Sequence, residues 1–214
     1  MQAVLFDLDG TLSDSAPGIL AALRHAFDVN GLARLDPVTE RAILGPPFYE
    51  SLPPLVGADK VAGVIAAYRE HYGQGAMFDT QAFEGVAGVL AALRSAGVRL
   101  AVATSKPEHY ALPIVEHLGL AEYFEIVGGD ELDGSRGTKA LVIGRVLQRL
   151  GNPDPTAVVM VGDRSHDVEG ARVHGIDCAA VAWGYAMPGE LEAADPAAIC
   201  ARPADLASAL GIAG

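Results

Sequence analysis

Ala3-Val4-Leu5-Phe6-Asp7-Leu8-Asp9-Gly10-Thr11 is an apolar run of strand length that ends in two carboxylates, a glycine and a hydroxyl. Side chains alternate along a strand, so acids at i and i+2 are expected on the same side, at the carboxyl edge where open α/β sheets take ligands. Two like charges so close repel, and they invite a cation or raise one pKa. Gly10 permits a tight exit and a close backbone approach to an anion, with the Thr11 hydroxyl beside it. An isolated Asp-x-Asp is more often a solvated turn at a strand end, so the rest of the chain has to decide.

Working outward, short β-like apolar runs alternate with helical patterns from residue 101 to the C-terminus, the rhythm of βαβ units around a buried parallel sheet. Strands are predicted at 3–8, 98–104, 124–128, 157–162 and 178–182, with a weaker sixth at 197–200. Helices are predicted at 86–96, 107–118, 138–150, 166–174 and 204–210. Pro107 suits a first helical turn, and Gly119 and Gly151 stand where helices stop. Between the first two strands, about 15–83, no strand is expected. Residues 15–30 carry Ile19, Leu20, Leu23, Ala26 and Phe27 at near-helical spacing before an Asn30-Gly31 stop. A second helix begins at Asp36-Pro37 and ends near Gly45, and a third spans 59–72 with Val61, Val64, Ile65 and Tyr68 on one stripe. The expected fold is therefore α/β, a parallel sheet with helices on both faces (1–14 and 84–214), carrying an inserted all-helical cap (15–83).

The chain has 214 residues, half of them apolar, with 27 acidic and 15 basic side chains and a net charge of −12. Such a balance opposes the phosphate-backbone electrostatics that hold most nucleic-acid binders. Cys178 and Cys200 are far apart and in no metal-ligand spacing, which suits a reducing cytoplasm and argues against a disulfide framework or a zinc site. The longest uncharged stretch, 178–189, is too short and too broken for a membrane span, and no signal peptide is expected at the N-terminus.

Two further strand ends aim at the same edge. Val102-Ala103-Thr104-Ser105-Lys106-Pro107 delivers hydroxyls, backbone N–H groups and a helix start, where phosphate oxygens are attracted; a plain N-cap would also explain it. Val161-Gly162-Asp163-Arg164-Ser165-His166-Asp167 places acids beyond another strand. Lys139 stands at a helix start, the wrong end for the dipole, so an acidic or anionic partner is expected. No GxGxxG follows the first strand and no GxxxxGK[ST] loop is present, which disfavours nucleotide-cofactor chemistry.

Asp-x-Asp-Gly-Thr, then a strand-end Thr or Ser, then a lysine, then Gly-Asp-x-x-x-Asp: in that order Asp7, Asp9, Thr11, Thr104, Lys139, Asp163 and Asp167 resemble the haloacid dehalogenase-like superfamily along nearly the whole chain. Asp9-Gly10-Thr11-Leu12-Ser13-Asp14-Ser15, Gly45-Pro46-Pro47, Tyr68-Arg69 and Trp183-Gly184-Tyr185 are similar to its phosphoglycolate phosphatase-like branch, which has a small helical cap. The second acid of the Asp-x-Asp pair favours phosphoryl over dehalogenase chemistry.

The resemblance implies a Rossmann-like core and Mg²⁺-dependent hydrolysis of a small phosphorylated metabolite, phosphoglycolate-like, through an aspartyl-phosphate. It implies Asp7 as nucleophile and Asp9 as acid and base. Mg²⁺ would sit on Asp7, the Asp9 carbonyl and Asp163, with Asp167 behind. Gly10, Thr11, Thr104, Ser105 and Lys139 would hold the phosphoryl oxygens. Substrate choice falls to the cap, with Arg41, Gly45, Pro46 and Lys106 as candidate contacts; Lys60, Arg69 and Arg136 are further cations, and Trp183 and Tyr185 could line the mouth or the core. Rival readings are a nucleotide monophosphatase, a β-phosphoglucomutase-like phosphotransferase and a non-enzymatic phospho-aspartate switch. No membrane or nucleic-acid partner is expected, and the chain is expected to be a monomer or homodimer.

Overall fold

A computed structural model describes residues 1–132 and 137–211. In chain order it forms β1 (Ala3–Phe6), β2 (Ser13–Asp14), α1 (Ala16–Val29), α2 (Pro37–Ala42), α3 (Phe48–Ser51), α4 (Pro53–Val56), α5 (Val61–Gly73), β3 (Gln81–Ala82), α6 (Val86–Ser95), β4 (Arg99–Pro107), α7 (Glu108–His117), β5 (Ile126–Asp130), α8 (Lys139–Arg149), β6 (Val158–Gly162), α9 (Ser165–Val173), β7 (Asp177–Val181), α10 (Glu190–Ala194), β8 (Ala198–Cys200) and α11 (Pro203–Ala209). Six strands make one parallel sheet in the order β5-β4-β1-β6-β7-β8. The order reverses at β1, so a crevice opens at its carboxyl end, between the ends of β4 and β6.

The alternation of β1 explains its unbroken apolar run. Val4 and Phe6 face one core with Leu90, Leu93, Ile114 and Val115 of α6 and α7, while Ala3 and Leu5 face a second with Val142, Ile143 and Ala171 of α8 and α9. A strand covered on both faces has no solvent side to keep polar. The first core continues into the helical segment, where Ile19, Leu23 and Phe27 of α1 pack with Val64, Ile65 and Tyr72 of α5. Among the described residues, no helix is long and apolar enough to cross a membrane.

Several expectations need correcting. A strand does occur in the 15–83 interval: β3 pairs antiparallel with β2, Ser13 opposite Ala82 and Asp14 opposite Gln81, a ribbon too short to leave a periodicity. Pro107 is the last residue of β4 and the cap of α7, with extended backbone (φ −53°, ψ 132°) rather than a helical first turn. There the register against β5 shifts between Ala103 and Pro107, and Gly129 lets the tail of β4 approach, since a Cβ on it would lie 2.4 Å from the Lys106 carbonyl. The second helix of the insert stops at Ala42, short of Gly45, whose φ is +104°. The proline-rich stretch read as loop contains two single-turn helices, α3 and α4, with Pro47 capping one and Pro53 opening the other. The weaker sixth strand forms as β8 at the sheet edge. Arg136 lies outside the described residues.

Candidate active site

β1 delivers Asp7 to the centre of the crevice. Its N–H donates to the Val161 carbonyl (2.9 Å), its Oδ1 accepts from Leu8 N–H (2.7 Å), and its Oδ2 meets Lys139 Nζ at 2.8 Å. Lys139 opens α8 behind the Thr138 cap, and its ammonium also reaches Asp167 Oδ1 at 2.7 Å and donates to the Ala103 carbonyl at 3.1 Å. This answers the expectation of an acidic partner at that helix start. Burial opposes the charge on Lys139, but the Asp167 and Asp7 carboxylates outweigh it and push its pKa up, so it stays protonated.

Asp163 follows β6 and is fully buried. Thr11 Oγ1 donates to its Oδ1 at 3.0 Å and Tyr185 N–H to its Oδ2 at 2.7 Å. Burial, then the Asp167 and Asp7 carboxylates, push its pKa well up, against those two hydrogen bonds. Its seat is shaped by glycines: a Cβ on Gly10, whose φ is +82°, would lie 2.2 Å from Asp163 Oδ2, and one on Gly184 would lie 2.4 Å from it. Asp167 is fully buried too, accepts from Arg164 N–H at 3.1 Å, and is pushed up by burial against the opposing pull of Lys139.

Asp7, Asp163 and Asp167 present carboxylate oxygens within 4.8 Å of one another. Lys139 meets two of the three, while the hydrogen bonds to Asp163 come from a hydroxyl and an amide. Buried carboxylates in excess of their counter-ion, seated in a glycine cradle, suit a hard divalent cation. Asp167, committed to Lys139 and Arg164, is the least available of the three.

Asp9 has its own lysine. Its Oδ2 lies 3.1 Å from Lys106 Nζ, which also donates to Tyr72 Oη at 2.7 Å, while Asp9 Oδ1 is buried with no hydrogen-bond partner among the described residues. β1 ends at Phe6, so the two acids lie past the strand and each meets a different cation rather than sharing one. Thr104 is buried and its hydroxyl accepts from Lys106 N–H at 3.2 Å; Ser105 is half-buried. The Thr11 hydroxyl, expected to serve an anion, is instead committed to Asp163.

A cavity of about 110 Å³ opens beside Asp9, Ser105 and Lys106, and its far walls come from the helical segment, including Gly45, Pro46, Phe48, Tyr68, Arg69 and Tyr72. Arg41, expected to contact substrate, is not on those walls: its guanidinium donates to the Gly184 and Ala186 carbonyls at 2.8 and 3.2 Å and so fastens α2 to the loop after β7. Lys60 is exposed and also away from the walls. Trp183 donates to the Thr11 carbonyl (3.1 Å), and Tyr185 Oη donates to Asp14 Oδ1 (2.9 Å) and accepts from Ser15 N–H (2.8 Å), so both brace the loop after β1. Sequence reasoning missed the part of Tyr72 and of Arg164. Tyr72 reads as one more apolar position of an amphipathic helix. Arg164, buried and bonded to the Leu44 carbonyl and to Glu190, carries a signal only in hindsight, as a charge within a run of strand-end acids.

The haloacid dehalogenase-like hydrolase family model matches residues 4–181. Tyrosine-protein kinase PtkA of Mycobacterium tuberculosis is 46% identical over 184 residues, which are 86% of this chain but only 63% of that protein's length. The 5'-nucleotidase of Pseudomonas aeruginosa is 34% identical, over 97% of this chain and 94% of its own, and the phosphoglycolate phosphatase of Escherichia coli 30%, over 99% and 93%. Among solved structures, a haloacid dehalogenase-like hydrolase from Streptococcus pneumoniae superposes with a TM-score of 0.91 at 29% identity, over 97% of both chains. With its Asp7, Asp163 and Lys139 gathered at one sheet edge, the chain belongs to the haloacid dehalogenase-like hydrolase family.

Proposed function

We propose that this protein is a Mg²⁺-dependent phosphomonoesterase that works through an aspartyl-phosphate on a small phosphorylated metabolite. The observation that carries the reading is the arrangement of Asp7, held on Lys139 at 2.8 Å within a buried three-carboxylate cluster, with Asp9 next to it on a separate lysine. Relatives named 5'-nucleotidase and phosphoglycolate phosphatase, matched along nearly their whole lengths, support it.

In this reading an oxygen of Asp7 attacks phosphorus in line with the leaving oxygen, and the new Asp7 O–P bond replaces the ester P–O bond. Asp9 gives its proton to the departing alkoxide, then takes one from the water whose oxygen attacks the phosphorus and frees Asp7, leaving inorganic phosphate. Lys139, Thr104, Ser105 and the backbone at Gly10 hold the phosphoryl oxygens. Asp7, Asp163 and the Asp9 carbonyl would hold Mg²⁺, which when bound supplies positive charge against the repulsion between an anionic nucleophile and an anionic substrate. Asp167 positions Lys139. Residues 1–14 and 84–214 form the catalytic core and 15–83 the cap that selects the leaving group.

Asp7→Asn is expected to abolish phosphate release, by roughly a thousandfold or more, with the melting curve little changed. Near-full activity in that variant refutes the assignment. A second reading, transfer of the phosphoryl group to a tyrosine hydroxyl, is favoured by the 46% identical relative. Radiolabel from ATP appearing on protein tyrosine, with no free phosphate, would put that reading first.

A further inference from the structure

The phosphate-binding residues leave the identity of the leaving group open, and the cavity beside Asp9 addresses it. Asp9 lines that cavity and, on the hydrolase reading above, hands its proton to the departing oxygen; whatever fills the cavity is therefore attached to that oxygen. The wall facing Asp9 is aromatic. Tyr68 and Tyr72 are stacked at 5.1 Å with 16° between their planes, Phe48 stands edge-on to Tyr68 at 4.7 Å, and Tyr110 edge-on to Tyr72 at 5.4 Å. Such a frame offers ring edges and faces at the spacings aromatic pairs prefer.

The cations on the walls are already engaged. Lys106 is held by Asp9 and by Tyr72 Oη, and Arg69 donates to Tyr49 Oη at 2.7 Å and to the Leu132 carbonyl. A glycolate carboxylate entering here would compete with Asp9 for Lys106 and would leave the aromatic frame unfilled. Size adds a second constraint. The cavity is small, about 110 Å³, of the same order as the roughly 150 Å³ of a protein cavity that takes up one benzene ring.

We propose that this cavity is a subsite for a single aromatic ring, so that the preferred substrates are phosphomonoesters whose leaving alcohol carries one such ring close to the ester oxygen. The inference rests on the hydrolase reading for the direction of the leaving group, and it stands on the cavity's own chemistry for the ring.

The test measures phosphate release by the full chain in excess Mg²⁺ from benzyl, cyclohexylmethyl and ethyl phosphate and from 2-phosphoglycolate. Benzyl and cyclohexylmethyl alkoxides leave with similar ease, so they separate flatness from bulk. The expected kcat/KM for benzyl phosphate exceeds each of the others at least tenfold, mainly through KM, and Phe48→Ala shrinks the benzyl-to-ethyl ratio at least fivefold. Benzyl phosphate no better than cyclohexylmethyl, or phosphoglycolate the best substrate, overturns the inference while leaving the hydrolase reading intact. Should no ester be hydrolysed, the hydrolase reading fails alone, and calorimetry with benzylphosphonate and ethylphosphonate decides the subsite: at least tenfold tighter binding of the benzyl compound upholds it, and equal affinity overturns it. O-phosphotyrosine and uridine 5'-monophosphate, run in parallel, distinguish an aryl ester from a pyrimidine nucleotide as the source of the ring.

Discussion

Lys139 is the residue on which the electrostatics of the site turn. Its ammonium lies 2.8 Å from Asp7 and 2.7 Å from Asp167, and all three groups are buried. Removing one partner from a buried ion cluster is costly because the remaining charge is neither solvated nor paired. Lys139→Met is therefore expected to cost about 3–5 kcal/mol, read from the urea midpoint, and Lys139→Met combined with Asp167→Asn should recover part of that loss by removing one orphaned carboxylate. Recovery of nothing would mean that Asp167 is not the partner that matters. The role of this lysine was legible in the sequence, because an ammonium at a helix start opposes the dipole and demands an anion nearby. The roles of Thr11 and Arg41 were not. Their chain positions mark them as available hydrogen-bonding groups, but what they meet, Asp163 in one case and the carbonyls of Gly184 and Ala186 in the other, is set by contacts about 150 residues apart in sequence.

At the scale of elements, the short helix α10 does more than its five residues suggest. Glu190, its first residue, accepts from Arg164 Nε (2.8 Å), Ser165 N–H (2.9 Å) and Met187 N–H (2.8 Å), tying the start of α9 to the loop after β7. Burial pushes its pKa up, but the Arg164 hydrogen bond and the Met187 and Ser165 amides outweigh it and hold the carboxyl below its ordinary 4.5. A carboxylate depressed in the folded state contributes stability above its unfolded pKa and loses it as the pH falls through the folded value. Glu190→Gln should thus cost about 2 kcal/mol at pH 7, and the gap between the two chemical denaturation curves should close in acid, well below pH 4.5. A gap independent of pH would show that shape, not charge, holds the loop. Long apolar runs made the strands β1, β4, β6 and β7 legible, since burial on both faces leaves a continuous signature. α3, α4, α10 and the β2–β3 ribbon are two to five residues long, shorter than the period that would announce them, and their existence depends on tertiary contacts.

Across the whole molecule, the helical segment and the sheet share one apolar core and are also pinned by two arginines working in opposite directions. Arg41 reaches from α2 to the loop after β7, and Arg164 reaches from the start of α9 back to the Leu44 carbonyl. Arg41 is exposed and bonds neutral carbonyls, so its contribution is the smaller. Arg41→Ala is expected to raise amide exchange across residues 37–56 by roughly tenfold, about 1.4 kcal/mol of local opening, with the strands of the sheet unaffected. Exchange that rises equally in β1 and β6 would mean that the contact supports the whole fold. The parallel architecture and the gathering of Asp7, Lys139, Asp163 and Asp167 could be anticipated because each lies at a strand end or helix start, where topology dictates position. The aromatic frame could not, because Phe48, Tyr72 and Tyr110 come from three elements whose mutual placement no local pattern encodes. The small ribbon has a wider consequence. With Asp14 opposite Gln81, the chain departs and returns at neighbouring points, like a loop of thread gathered at its neck. Material can be added at the far end of that loop without moving the neck, so its reach is free to vary while the carboxylates at the sheet edge keep their register.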